Sequence, residues 1–358
     1  MRILSVGRAF PRHYYDQDQL LAALQRHWNA QHFNPERLER LHKNVLVSGR
    51  HMAVPLEAYE DFESWGDANN AWIHVAPEVG ETAIRDALKL AGLSVEDVDL
   101  LMVTTVTGLA VPSLDALLMN RLGLRSDTKR LPLFGLGCVA GAAGIARVAD
   151  YLRAFPDQVA VLLAVELCSL TVQKEDLSIP NLIATGLFGD GAAAVILGGR
   201  DRSAPRPGFR VVATRSVFYP DSERVMGWDI SEQGFRIVLS AEVPDVVREH
   251  LRCDVDAFLA ENGLERSSIR YWICHPGGPK VLSAMEESLE LPPGALDLTW
   301  ESLRNVGNLS SASVLMVLRD TLDRLPDDAE PGFGLLLAMG PGFCSELVLL
   351  ELDRGGPP

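Results

Sequence analysis

The stretch Leu133–Gly144, LFGLGCVAGAAG, decides the predicted fold, because it joins a strand to a helix through a glycine turn. An apolar strand ends at Phe134, glycines permit the tight turn, and the small residues after Cys138 favour a buried helix. A thiol at a helix N-terminus lies at the positive end of the helix dipole, which lowers its pKa. Cys138 is therefore a candidate nucleophile, and the alternative is a buried, unreactive cysteine.

The same stretch also matches the dinucleotide-binding pattern G-x-G-x-x-A, at Gly135, Gly137 and Ala140. That function requires a first βαβ unit and an acidic residue about 20 positions further on. Here the motif lies in the middle of the chain, contains a cysteine, and has Glu166 as its nearest strand-end acid. These features disfavour a nicotinamide cofactor.

Helical and strand patterns alternate on both sides of this turn, which predicts an α/β protein with buried strands. Apolar runs of strand length occur at 97–107, 131–134, 158–166, 192–197, 269–274, 334–338 and 345–352. Helical patterns occur at 16–27, 35–42, 78–93, 115–122, 138–155, 243–262, 280–289 and 310–325. The polar, Gly- and Pro-rich segment Gly198–Gly208 predicts a junction between two similar halves, 1–200 and 209–358.

The composition narrows the class of protein. The chain has 358 residues and a formal charge of −15, so it lacks the basic face of a nucleic-acid-binding protein. No apolar run approaches the ~20 residues that span a bilayer, and no signal peptide is evident, so we expect a cytoplasmic protein without a membrane span. Five cysteines without paired spacing predict neither a disulfide framework nor a metal site.

Two further motifs offer partners for a nucleophile. In YWICHPGGPK, an apolar strand ends at His275 before a rigid turn, which suits an acid, a base or a hydrogen-bond donor. In NVGNLSSAS, Asn308 precedes a helix start. Alone, each residue has an ordinary explanation, as a loop histidine or an N-cap. Together with Cys138 they supply a nucleophile, a base and an amide donor that can stabilise an oxyanion or enolate.

Two glycine turns add candidate site residues. The segment AMGPGFCSEL lies between two predicted strands and suits a pocket floor, with Gly340, Pro341, Gly342 and Phe343. The segment TGLFGDGAAAVI carries Phe188 before a glycine turn, where an aromatic ring can gate a pocket. A plain hairpin and a buried phenylalanine explain the two patterns equally well.

A local excess of positive charge lies at residues 26–50. The basic residues of this segment are Arg26, Arg37, Arg40, Lys43 and Arg50, against two glutamates. Basic clusters are often solvated helix faces, but they also attract phosphate groups. The segment is therefore a candidate contact for a nucleotide-bearing substrate.

These segments together resemble the type III polyketide synthases, the chalcone-synthase-like branch of the thiolase fold. FGLGCVAGAAG, GLFGDGAAAVI, WICHPGGPKVL, VGNLSSASVL and GPGFCSELVLLEL follow the family's order, and the resemblance runs from about Arg2 to Leu352. It implies a five-layered αβαβα thiolase fold with two related halves and a homodimer with Val111 at the contact. It also implies CoA thioesters as substrates, acyl-CoA and malonyl-CoA, with no cofactor.

The resemblance further implies roles for single residues. Cys138 would carry the acyl group, and His275 and Asn308 would complete a Cys-His-Asn triad. Phe188 matches the family's first gatekeeper, whereas the second falls near Ile237, a departure from the plant-like aromatic starter pocket. The remaining implied substrate contacts are Lys43, Arg50 and Lys280 toward CoA, and Ser310 and the turn 340–343 in the cavity.

Other segments favour a fatty starter. VELCSLT and VTTVTGLAVPSLDA look most like bacterial alkylpyrone and alkylresorcinol synthases, where small residues at the positions of Thr107 and Cys168 open a tunnel for the chain. Ordinary core packing is the alternative for both residues. We expect a medium- to long-chain acyl-CoA starter and about two or three malonyl-CoA extensions, with lactone closure to an alkyl-α-pyrone or aldol closure to an alkylresorcinol.

Three other functions fit parts of the pattern. A ketosynthase III-like enzyme would join chains bound to carrier proteins, but the HPGGP and GPGF motifs favour a CoA-using enzyme. A papain-like hydrolase also orders Cys, His and Asn, at a Cys–His spacing of about 130–150 residues, yet its cysteine signature is missing. A non-catalytic scaffold would not need the complete triad.

Overall fold

The computed structural model describes residues 1–28, 34–202, 207–326 and 328–353. Strands β1–β13 span Arg2–Ala9, His13–Asp16, Gly49–Met52, Leu100–Thr105, Lys129–Phe134, Val159–Leu167, Asp190–Gly198, Gly208–Phe218, Met226–Ser231, Gly234–Leu239, Ile269–Cys274, Phe333–Gly340 and Cys344–Asp353. Helices α1–α11 span Gln17–Trp28, Pro35–Asn44, Leu56–Glu60, Trp65–Ala91, Leu114–Leu122, Ala140–Ala154, Ile179–Leu187, Val243–Glu261, Pro279–Leu289, Asp297–Val306 and Ser313–Asp323.

Nine strands form one mixed sheet in the order β11-β12-β13-β8-β1-β7-β6-β4-β5. In its first part, β4 runs parallel to β5 and β6, and β7 is antiparallel to both β6 and β1. In its second part, β11 runs parallel to β12, and β13 is antiparallel to both β12 and β8. The two parts join where Arg2 pairs with Arg210, so the strand pattern repeats along the chain.

The hydrophobic core is organised in layers. Helices α6 and α11 are almost fully buried, and each contacts strands from both parts of the sheet. One apolar cluster surrounds these two helices, a second lies between the first part of the sheet and α4, and a third lies between the second part and α8 and α9. The order is therefore helix, sheet, helices, sheet, helix, which is the predicted αβαβα thiolase fold.

The boundaries of α4 differ from the prediction. A helix was expected over 78–93, but α4 begins at Trp65, after a capping box in which Ser64 accepts from the Asp67 amide and Asp67 accepts from the Ser64 amide. Pro77 lies inside the helix and hides the periodicity, because proline ordinarily marks a helix end or first turn. The expected boundary at residue 78 was wrong.

The apolar strands agree more closely with the sequence pattern. Strand β6 was expected at 158–166 and spans Val159–Leu167, and β11 has its predicted bounds. The division into halves 1–200 and 209–358 remains a prediction, and residues 203–206 of its junction lie outside the described residues. Within the described ranges, the helices are too short or too polar to cross a membrane.

Candidate active site

The cysteine turn forms as its glycines predict. Gly135 and Gly137 adopt φ angles of +99° and +56°, which L-residues with side chains rarely adopt. The chain then makes a 3₁₀ turn over Gly137–Val139 and continues into α6. Cys138 is 5% exposed, and its thiol donates to Ser310 Oγ at 3.7 Å. The predicted nucleophile thus lies beside the Asn308 segment, although far from it in sequence.

The histidine lies where β11 ends. Its backbone amide donates to Leu337 O at 2.9 Å, which continues the pairing with β12 and fixes the residue at the sheet edge. The ring of His275 is buried, and neither ring nitrogen has a hydrogen-bond partner. A buried imidazole without partners is available to a substrate, since such groups are otherwise paired.

The asparagine is held between two other site segments. The backbone amide of Asn308 donates to Leu187 O at 2.9 Å, and its backbone carbonyl accepts from Gly189 N at 3.0 Å. The residue therefore pairs with the Phe188 segment. Asn308 Oδ1 accepts from Ser310 N at 2.8 Å, while Nδ2 makes a long 3.5 Å contact with Gly277 O. The amide donor therefore points toward the histidine loop and is weakly engaged.

Burial opposes a charge on either titratable member of the predicted triad, the Cys138 thiolate or the His275 imidazolium. Burial, with a smaller contribution from the charge of Glu166, raises the pKa of the Cys138 thiol to about 12, although the hydrogen bonds of Ser310 and Asn308 act to lower it. Burial also lowers the pKa of His275 to about 3. The helix dipole alone predicted a lowered thiol pKa, so desolvation outweighs it here. A neutral imidazole is the form that can accept the thiol proton as the bond to the acyl carbon forms.

A buried carboxyl group, Glu166, lies close enough to Cys138 for its charge to raise the pKa of the thiol. Glu166 Oε2 accepts from Thr107 Oγ1 at 3.0 Å and from Val106 N at 3.1 Å, and Oε1 accepts from Ser311 Oγ. Burial raises the pKa of Glu166 to about 7. Thr107 is thus part of this network, and its predicted place in a substrate tunnel remains a prediction. An acid inside the apolar run VAVLLAVEL was the signal for this network in the sequence.

Four predicted substrate contacts line one small cavity. Phe188, Cys168, Ile237 and Arg50 surround a volume of about 30 Å³ together with Trp228. A second cavity of about 930 Å³ opens beside it between α1, α4 and the β9–β10 hairpin, and shares Arg50, Met52, Ser169, Val172 and Thr185 with it. Sequence reasoning missed Trp228, because nothing in its spacing links β9 to the cysteine turn.

The turn 340–343 packs directly on the cysteine turn. A Cβ on Gly340 would lie 2.6 Å from Val139 N, and one on Gly137 would lie 2.8 Å from Pro341, so both positions require glycine. Gly342 has a φ of +143°, and Phe343 is buried, with its amide donating to Ser222 Oγ at 2.6 Å. The turn therefore packs against the cysteine turn, and its role as a pocket floor stays a prediction.

The residues expected to contact CoA divide into two groups. Lys43 and Lys280 are exposed, and Lys43 pairs with Glu39 at 2.5 Å. Arg50 is only 2% exposed and donates to Phe188 O at 2.9 Å. Its burial between the Phe188 and Asn308 segments does not match the solvated basic face from which a CoA contact was inferred.

Comparisons with known proteins agree with this fold. The N-terminal domain of the chalcone and stilbene synthases matches residues 1–201, and the C-terminal domain matches residues 210–352. A 1,3,6,8-tetrahydroxynaphthalene synthase of Streptomyces peucetius subsp. caesius is 52% identical over 98% of this chain and 92% of its own. The phloroglucinol synthase of Pseudomonas fluorescens is 30% identical over 96% of both chains. The crystal structure of a 1,3,6,8-tetrahydroxynaphthalene synthase from Streptomyces coelicolor A3(2), at 31% identity, superposes with a TM-score of 0.91 over 99% of both chains.

The fold and these matches define an acyltransferase of the thiolase fold that uses malonyl-CoA and other CoA thioesters. The chain belongs to the chalcone and stilbene synthase family, the type III polyketide synthases. This membership favours polyketide synthesis over the hydrolase, the scaffold and the carrier-protein-dependent ketosynthase considered from the sequence.

Proposed function

We propose that this enzyme condenses malonyl-CoA units on Cys138 and closes the chain to a polyhydroxylated aromatic product of the tetrahydroxynaphthalene type. The observation that carries the proposal is the 52% identity, over nearly the whole chain, to a 1,3,6,8-tetrahydroxynaphthalene synthase. The small cavity beside Phe188 is compatible with it, because a volume of about 30 Å³ is too small to enclose a long alkyl chain.

Loading uses the thiol and the imidazole. The Cys138 sulfur attacks the thioester carbonyl of the starter while His275 takes the thiol proton, and the carbon–sulfur bond to CoA breaks. The CoA thiolate then takes that proton from His275. Because burial disfavours either charge alone, the proton transfer and the bond formation are coupled.

Extension requires an enolate. Malonyl-CoA loses CO₂, and the electron pair of the broken carbon–carbon bond moves into an enolate whose charge lies on the thioester oxygen. His275 and Asn308 Nδ2 are the available donors for that oxygen, since the ring has no partner and the amide contact is 3.5 Å long. The enolate carbon attacks the Cys138 thioester, the cysteine sulfur leaves, and the lengthened chain remains on CoA.

The ring system of a naphthalene product restricts which acyl group can begin the chain. All ten carbons of a naphthalene lie in its rings, so the outermost carbon of the starter must itself form a bond to another chain carbon. A malonyl starter supplies that nucleophile, because loss of its free carboxylate as CO₂ leaves a carbanion equivalent. A fatty acyl starter cannot, since its outermost carbon carries no activating group.

A second candidate is the fatty acyl reaction that gives an alkyl-α-pyrone or an alkylresorcinol. The observation that favours it is the cavity of about 930 Å³, which includes apolar side chains such as Leu20, Leu24 and Leu56 and adjoins the small cavity at Cys168. This volume is in the range of cavities that enclose a whole small-molecule ligand. The same volume would also accept a growing polyketide.

Product mass spectrometry separates the two candidates. The enzyme is incubated with malonyl-CoA alone and with malonyl-CoA plus dodecanoyl-CoA, and Cys138→Ala is the control. We expect an aromatic product from malonyl-CoA alone. A product formed only with dodecanoyl-CoA would replace the first candidate with the second, and CoA release without any polyketide would overturn both.

We also propose a homodimer. The proposal rests on the resemblance and on Val111, which is fully exposed at 101%.

Lys43 and Lys280 are the proposed CoA contacts, since both are exposed cations on segments next to the site. The halves 1–200 and 209–358 are proposed as its two structural units.

A further inference from the structure

Arg50 is a buried cation that lines the small cavity beside Phe188, and the mechanism above does not use it. It is 2% exposed and forms no ion pair within 4 Å among the described residues. Its Nη1 donates to Phe188 O, while its Nε is buried without a hydrogen-bond partner. Burying a charge is costly unless it is paired, so an unpaired buried arginine indicates a missing anionic partner.

The neighbouring acid does not fill that role. Asp190 attracts Arg50 only from beyond ion-pair distance, and its carboxylate accepts from Ser169 N at 2.8 Å and from Ser169 Oγ. Ser169 Oγ also contacts the Tyr59 hydroxyl at 2.5 Å. These side-chain hydrogen bonds of Asp190 therefore go to Ser169, and Arg50 Nε is left without a partner.

The cavity that Arg50 lines has room for a group of about the size of a carboxylate. Its volume of about 30 Å³ equals roughly one water's share of liquid volume, and Phe188, Trp228 and Ile237 close it with apolar surface. Cys168 lines it as well, and the Cys168 thiol lies close enough to Cys138 to feel its charge. The other polar side chains that line it within the described part of the chain, such as Thr171 and Asn181, already have hydrogen-bond partners.

We propose that Arg50 binds the free carboxylate of a malonyl starter and so selects an acidic starter over a neutral one. The inference rests on the malonyl starter proposed above. A guanidinium matches a carboxylate with two parallel hydrogen bonds, and a neutral acyl chain would leave the buried charge without a partner. Held in this way, the carboxylate stays on the chain until ring closure requires its loss.

The test compares loading of two starters of similar length by intact-protein mass spectrometry. Wild type, Arg50→Met and Arg50→Lys are each given an equimolar mixture of malonyl-CoA and butyryl-CoA. The malonyl adduct and the acetyl adduct that remains after loss of CO₂ are counted together. Arg200→Met is the matched control, because Arg200 is 79% exposed and far along the chain from the cavity.

We expect wild type and Arg200→Met to load malonyl over butyryl, and Arg50→Met to lose that preference by about tenfold or more, with butyryl loading kept. Arg50→Lys keeps the charge and should retain part of the preference. An equal fall in both adducts would mean that Arg50 only positions the Phe188 segment, and would overturn the inference. If Arg50→Met does not fold, Arg50→Lys decides, since a malonyl preference in that variant equal to that of wild type would overturn the inference, as would equal loading of the two starters by wild type.

Failure of the proposed function would give a different result from failure of the role assigned to Arg50. An enzyme that makes a product only from fatty acyl-CoA fails the product assay with malonyl-CoA alone. An enzyme that makes the aromatic product, but whose Arg50→Met variant keeps the malonyl preference, retains the proposed function and contradicts the role of Arg50.

Discussion

At the scale of single residues, the buried carboxyl of Glu166 has a measurable effect on stability. Its pKa is raised from 4.5 to about 7 by burial, so the folded state binds its proton more tightly than the unfolded state does. A group of this kind contributes stability that is fully present below pH 4.5 and is lost as the pH rises toward 7.

Glu166→Gln should remove that dependence while keeping an acceptor for Thr107 and Val106. Between pH 5 and pH 8, wild type should lose about 2–3 kcal/mol more free energy of unfolding than the variant loses. Urea denaturation at the two pH values measures the difference. Identical pH dependence of the two proteins would show that Glu166 is ionised throughout this range.

Asn308 is a second residue with a separable role. Asn308→Ala removes the weakly engaged amide donor, so malonyl-CoA decarboxylation should fall by about 10²–10³-fold while acyl loading on Cys138 stays within a few-fold. CO₂ release and the intact mass of the acyl-enzyme measure the two steps separately. Asn305→Ala, an exposed position on α10, is the control. Equal losses in both steps would contradict the oxyanion role and indicate a disordered turn.

At the scale of elements, the two buried helices determine how the nucleophile meets its partners. Helix α6 begins just after Cys138, and α11 begins just after the Ser310–Ala312 turn, so their N-termini bring the two motifs together. Gly141 makes this approach possible, because a Cβ there would lie 2.4 Å from Ser311 O and 2.7 Å from the Val314 side chain.

Gly141→Ala should therefore separate the helices and weaken the fold. We expect a loss of about 1–3 kcal/mol in the free energy of unfolding, from overpacking, together with slower acyl loading. Thermal unfolding and adduct formation are the measurements. Gly227→Ala is the matched control, since a Cβ there meets nothing within 4 Å. An unchanged melting temperature in Gly141→Ala would show that the interface adapts freely.

Some elements of the fold and the site were predictable from the sequence, and others were not. Continuous apolar strands such as β6 and the glycine turn before Cys138 were predictable, because local chemistry determines them. The start of α4 was not, since Pro77 lies inside the helix. The burial of Arg50 and the place of Trp228 in the small cavity result from packing between segments far apart in sequence, which residue spacing does not encode.

At the scale of the whole molecule, one end of the sheet exposes apolar side chains. Val111 is 101% exposed in the loop after β4, and Phe134 is 43% exposed at the end of the neighbouring parallel strand β5, where Leu131 is exposed as well. Parallel neighbours end at the same edge of a sheet, so these side chains lie toward one end. Exposed apolar surface of this kind marks an interaction site, and the resemblance implies a second copy of the chain.

Val111→Arg should therefore shift the protein from dimer to monomer. An arginine placed against the partner would have to lose its hydration without a counter-charge, which costs more than the apolar contact it replaces contributes. Size-exclusion chromatography with light scattering should give twice the chain mass for wild type and a single chain mass for Val111→Arg. Ile230→Arg, at an exposed apolar position on the β9–β10 hairpin, is the control and should leave the dimer intact. A wild-type monomer would contradict the proposed dimer, and a dimeric Val111→Arg would move its interface away from this end of the sheet.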